Sequence, residues 1–162
     1  MNMPLKWSAV LAFCVMSFSA RAEPAAAIAA QFPTYALIGK CSGDDMGIRG
    51  ESAFAIRDKK ARLIRVIWLD GKDKIQLLET MQAKDFYNRD EFDVTRFELN
   101  CYGPKKAQEI KKTAMTSEGI SAAFKFPKGS GILCYFGPLL TSNCWYFDKR
   151  KGALAQAGGW SL

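Results

Sequence analysis

"FELNCYGPKKAQEIKKTAMTSEG", residues 97–119, decides how this chain folds, because its two halves ask for different structures. Phe97, Leu99 and Cys101 alternate with polar neighbours at the period of a strand with one buried face. Beyond Gly103 the pattern changes. Ala107, Ile110, Ala114 and Met115 fall at i, i+3, i+7 and i+8, and Pro104 suits the first turn of a helix. Thr113 and Thr116 pull toward strand. The spacing thus favours helix for residues 104–116 and leaves strand open. The segment also carries Lys105, Lys106, Lys111 and Lys112, so Cys101 is either a reactive centre beside a basic strip or a staple in a small domain.

The start of the chain bears on that choice. In "MNMPLKWSAVLAFCVMSFSARA" (1–22), Lys6 precedes an apolar run from Trp7 to Phe18, and Ala20 and Ala22 form an A-x-A cleavage site. This predicts a cleavable export signal and a single mature domain over 23–162. The run is shorter than the ~20 apolar residues of a membrane span. In "LAFC" (11–14), Phe13 is too bulky to precede an acylated cysteine, so no lipid anchor is expected. The destination is the periplasm, the cell surface or the medium. Loss of Lys6 and Arg21, with no acid removed, takes the net charge from +7 to +5. That bias suits a protein partner or anionic macromolecule; outside the cytoplasm, nucleic acid is not an expected one.

Cys14 leaves with the signal, and Cys41, Cys101, Cys134 and Cys144 remain. An even number in an oxidising compartment reads as two disulfides, with three connectivities possible. There is no C-x-x-C motif, so Cys101 is expected to be a staple. The sequence has no histidine, which rules out Ser-His-Asp and Cys-His arrangements and leaves zinc only thiolates or carboxylates at unsuited spacings. Asp44 and Asp45 fall in a Gly-rich stretch and read as solvated turn residues. Asp85, Asp90, Glu91 and Asp93, mixed with Lys84 and Arg89, read as charged surface. No catalytic residue, metal or cofactor is expected, and the chain is read as a non-enzyme.

Outward from Cys101, strands are expected at "YALIGK" (35–40), "SAFAIRD" (52–58), "ARLIRVIWLD" (61–70), "KIQLLET" (74–80), "FDVTRFELNCY" (92–102, with a bulge or a switch of face at Thr95-Arg96) and "ISAAFKFP" (120–127). Helix is also open for 74–80. Gly71 in "DGKD" (70–73) is expected to supply the φ > 0 of a hairpin turn. "ILCYF" and "CWYFDKR" read as a C-terminal hairpin. Residues 23–33 offer little to anchor a core, and 151–162, apart from Trp160, read as loosely held. Lys59, Lys60, Arg62 and Arg65 form a second basic cluster, a partner for the lysines of 105–112 if both share a sheet face. Trp68, Tyr135, Trp145 and Tyr146 are interface candidates, though most are expected in the core.

"FAIRDKKARLIRVIWLDGKDK" followed by "DVTRFELNCYGPKKAQEIKKTAMTSEG" resembles the surface-adhesin protein E-like family of small exported Gram-negative proteins, over about residues 52–119. The resemblance implies one curved antiparallel sheet with a C-terminal helix packed on it, a strand at Lys106–Thr116, and Cys101 joined to Cys134 or Cys144, with Cys41 taking the other. The hairpin itself offers another pairing, Cys134 with Cys144 and Cys41 with Cys101. The expected fold is therefore a sheet-dominated α+β domain, a single curved sheet with at most one or two helices, stapled by disulfides. The expected role is adhesin-like binding through a basic, aromatic-containing sheet face, with an inhibitor or immunity protein acting on an enzyme as the alternative.

Overall fold

The strands β2 (Ser52–Asp58) and β3 (Leu63–Leu69) are apolar on both faces, and each face has its own partner. The computed structural model describes residues 24–85, 97–116, 121–136 and 141–161. Among them, β1 (Tyr35–Ser42), β2, β3 and β4 (Ile75–Gln82) form an antiparallel meander in sequence order. A second antiparallel sheet has the order β5-β7-β8-β9-β6, with β5 at Glu98–Tyr102, β6 at Ser121–Phe124, β7 at Ile132–Phe136, β8 at Thr141–Asp148 and β9 at Ala153–Ser161. Two helices, α1 (Pro24–Gln31) and α2 (Pro104–Thr116), complete the described structure.

The period-2 alternation of the strands sorts their side chains into three apolar layers. Ala53, Ala55, Ile64, Val66 and Trp68 of the first sheet pack on Leu99, Leu133, Tyr135, Trp145 and Leu154 of the second. The opposite face of the first sheet (Phe54, Ile56, Ile67, Leu69) lies under α1 and is closed by Ile28. The opposite face of the second (Ile132, Cys134, Cys144, Ala157) lies under α2, with Ala107, Ile110 and Ala114 on it. The chain is thus a four-layer helix–sheet–sheet–helix stack.

The sheet-dominated α+β class with two helices and two disulfides holds, but the one curved sheet is two. Residues 104–116 form a helix, as the spacing favours, and not the strand that the family resemblance implies. The disulfides also follow the hairpin pairing. Cys134 and Cys144 are register partners on β7 and β8, and Cys41 on β1 meets Cys101 on β5, tying one sheet to the other. The pairing of Cys101 with a C-terminal cysteine is overturned because β7 and β8 face both of their cysteines toward α2, while Cys101 packs with the inter-sheet core.

Both ends read as loose are built in. Residues 24–31 form α1, whose Ile28 is only 2% exposed. In place of an implied C-terminal helix, β9 pairs with both β8 and β6. Gly158 allows this: at φ +115° a Cβ there would lie 1.8 Å from the Ala123 carbonyl oxygen, so glycine signals close strand approach and not slackness. The β3–β4 turn is a hairpin, but its positive φ falls at Asp73 (60°) and not at Gly71. Asp70 instead holds the turn, its carboxylate accepting from the Lys72 and Lys74 N–H groups at 2.8 and 2.9 Å. The irregularity expected at Thr95-Arg96 lies outside the described residues.

Candidate binding cleft

The basic residues anticipated as a binding face are not brought together. Lys59, Lys60 and Arg62 are exposed at the β2–β3 turn of the first sheet. Arg65 is engaged in packing, 3.6 Å from the Asp58 carboxylate and 5.2 Å over the Phe32 ring. Asp58 in turn is held below the usual carboxylate range, first by the Ala61 N–H, then by the Thr34 hydroxyl and Arg65. The second cluster lies on α2, beyond the other sheet. Lys105 and Lys112 are exposed, Lys106 pairs with Glu109 at 3.3 Å, and Lys111 sits 5.1 Å over the Phe126 ring. Trp68, Tyr135 and Trp145 are core residues, and Tyr146 is half-buried. Tyr135 stacks between Phe97 and Trp145, and burial pushes its phenol up to about 12. The sheet faces are largely covered, by the other sheet or by a helix, although Leu37 and Leu77 stay half-exposed beside α1.

At one end of the stack, loops from both sheets enclose a cleft of about 690 Å³. Its floor is Met46, at the end of the 3-10 turn Gly43–Met46, followed by Gly47 and Ile48; the turn is capped by the Ser42 hydroxyl, which accepts from the Asp44 N–H. One wall is the β6–β7 loop, Pro127–Gly131, closed by a hydrogen bond from the Ser130 N–H to the Pro127 carbonyl. Gly131 lies so close to the floor that a Cβ would come within 2.8 Å of Met46 backbone atoms. The other wall is the β8–β9 turn. There the Asp148 carbonyl accepts from the Lys151 and Gly152 N–H groups, and the Asp148 carboxylate accepts from the Arg150 N–H at 2.9 Å.

Lys128 on the first wall and Lys149 and Arg150 on the second line the cleft. Among the described residues none of the three forms an ion pair, and the only acid of the lining, Asp148, has its carboxylate turned to its own backbone. Tyr146, Phe147 and the two prolines, Pro104 and Pro127, supply apolar surface. The arrangement can hold an anionic ligand with an apolar body. The signal in the sequence is "PKGSG" (127–131), a turn-forming stretch with one lysine, and "DKRKG" (148–152), a turn with three adjacent cations; nothing in the sequence alone places the two side by side.

Asp44 and Asp45 are exposed on the 3-10 turn, where Asp44 also accepts from the Gly50 N–H, so the structure uses them as turn residues. Among the described residues, no group of three or more Cys, Asp or Glu side chains is placed to hold a metal ion. No helix among them is long and apolar enough to cross a membrane. The two disulfides point to an oxidising, extracytoplasmic compartment. No known family model, characterised protein or solved structure matches the chain.

Proposed function

We propose that this chain is an exported, adhesin-like binding protein, without catalytic activity, that recognises a host or envelope macromolecule. The export signal read in residues 1–22 and the disulfide-stapled domain support the location, and the loop-built cationic cleft supports the binding role. The cleft is the observation that carries the reading, because it brings Lys128, Lys149 and Arg150, which form no ion pair among the described residues, from two loops around one concave space. Kinship with the surface-adhesin protein E-like family is part of the proposal and rests on the quoted stretches within residues 52–119. The helix at Pro104–Thr116 and the Cys134–Cys144 bridge depart from what that kinship implies.

A second reading, a periplasmic inhibitor or immunity protein, is favoured by the same loops. Each is closed by internal hydrogen bonds, and such pre-organised loops lose little entropy when they enter another protein's site. Protease shaving of cells, with and without outer-membrane permeabilisation, separates the two. Cleavage of this protein on intact cells is the expected result of surface display. Cleavage only after permeabilisation overturns adhesion and leaves the inhibitor.

A further inference from the structure

The cleft's chemistry narrows the class of ligand, given that the cleft is the binding site as proposed above. We infer that it binds an acidic oligosaccharide, with Lys128 on one wall and Lys149 and Arg150 on the other pairing with its carboxylate or sulfate groups. With Lys128 on one loop and Lys149 and Arg150 on another, a ligand that carries more than one negative charge can engage both walls. The volume of about 690 Å³ lies in the range of sites for drug-sized molecules, several times what a lone phosphate would fill. The apolar surface of Tyr146, Pro104 and Pro127 offers contact to the C–H faces of sugar rings.

A peptide fits less well. Peptides added to a protein commonly pair with free main-chain groups of a strand edge. In this cleft the N–H groups of Ser130, Arg150, Lys151 and Gly152 are already donated within their own loops. A lipid surface fits less well too, because the exposed large apolar residues Leu37 and Leu77 project from the α1-covered side of the first sheet, and Phe136 stands at the end of β7 remote from the cleft.

The test is calorimetric titration of the full mature chain with four probes: oligogalacturonate, a sulfated dextran oligomer, neutral dextran and polyglutamate of matched charge. Binding of either acidic sugar, none of neutral dextran, and about tenfold weaker binding of polyglutamate are expected. The stronger acidic sugar identifies carboxylate or sulfate as the recognised group. Lys149→Ala with Arg150→Ala should weaken sugar binding about tenfold or more, and Lys59→Ala with Lys60→Ala should leave it unchanged. All four positions are exposed turn residues, so circular dichroism of each variant should match the parent. Equal binding of polyglutamate, or an equal loss from the Lys59/Lys60 variant, overturns the inference. So does the absence of sugar binding. In that case, if the Lys149/Arg150 variant no longer captures the cell-surface or envelope material that the parent captures, the binding role survives and only the ligand class falls. If it captures as the parent does, both fall.

Discussion

The first sheet joins four strands in sequence order beneath an eight-residue helix, whereas the second takes its strands out of order beneath a thirteen-residue helix and carries a disulfide inside its own ladder. Helices this short are marginal in isolation, so each roof exists because it docks. α1 docks through little more than Ile28, with Ala27 beside it, and leaves Leu37 and Leu77 half-exposed on the flanking strands. α2 places Ala107, Ile110 and Ala114 on its sheet, at the i, i+3, i+7 spacing of a helix face. A meander thus stands with a light cover because its hairpins close locally. The non-sequential sheet has longer loops to close and carries the additional covalent link.

Removing the disulfides tests this contrast with the largest expected effects. In the chain-entropy account, Cys41→Ala with Cys101→Ala costs about 4 kcal/mol and Cys134→Ala with Cys144→Ala about 3, since the first bridge closes the longer loop, with a sequence separation of 60 against 10. Urea unfolding of the two double variants gives the order. A reversed order would show that packing of the buried hairpin bridge beneath α2 outweighs loop length.

The helix roofs come next. Ile28→Ala should cost about 2–4 kcal/mol, because it empties a nearly closed site beneath α1. Ile110→Ala, at a partly buried position with two alanine neighbours sharing the load, should cost about 1 kcal/mol. Denaturant midpoints check both. Equal losses would mean that α1 is held by more than its one anchor.

The core between the sheets carries an alkaline signature. Because burial raises the Tyr135 phenol to about 12 in the folded chain, against an ordinary value of 10.0, the unfolded chain loses this proton first. The stabilising contribution is complete below pH 10 and fades as pH rises toward 12. Tyr135→Phe should flatten that decline in thermal melts taken across this window, and an unchanged slope would place the alkaline sensitivity elsewhere. The smallest effect is expected at Asp58. Its depressed pKa contributes stability above the ordinary carboxylate value that is lost as pH falls through the folded one, so Asp58→Asn should narrow the difference between melts at acid and neutral pH.

Much of this architecture was readable from the residues. Strand positions at 35–42, 52–58, 63–69, 75–82 and 132–136 follow from short apolar runs, rich in β-branched and aromatic residues and bounded by turn signals. The helix at 104–116 follows its own spacing, and that local pattern described the segment better than the family resemblance did. The number of sheets was not readable, because β2 and β3 are apolar on both faces, and a strand between a helix and a sheet has the same composition as one in any buried sheet. The ends were misread for a related reason. Alanine and glycine carry little apolar area, yet Ala157 is buried in the core beneath α2 and Gly158 sits where β6 approaches too closely for a side chain. The cleft escaped notice because its cations come from loops distant in sequence, which only the pairing of β7, β8 and β9 brings side by side.

One side chain of the first sheet has a further consequence. Gln76 on β4 reaches the backbone of β9, donating from Nε2 to the Leu154 carbonyl at 2.8 Å and accepting the Leu154 N–H at Oε1 at 2.9 Å. These are the two groups that an incoming strand would need to extend the second sheet at this point, where β6 does not yet reach. One side-chain amide of Gln76 thus takes the place that a neighbouring strand's peptide group would occupy, and it fastens the edge of the first sheet to the open edge of the second.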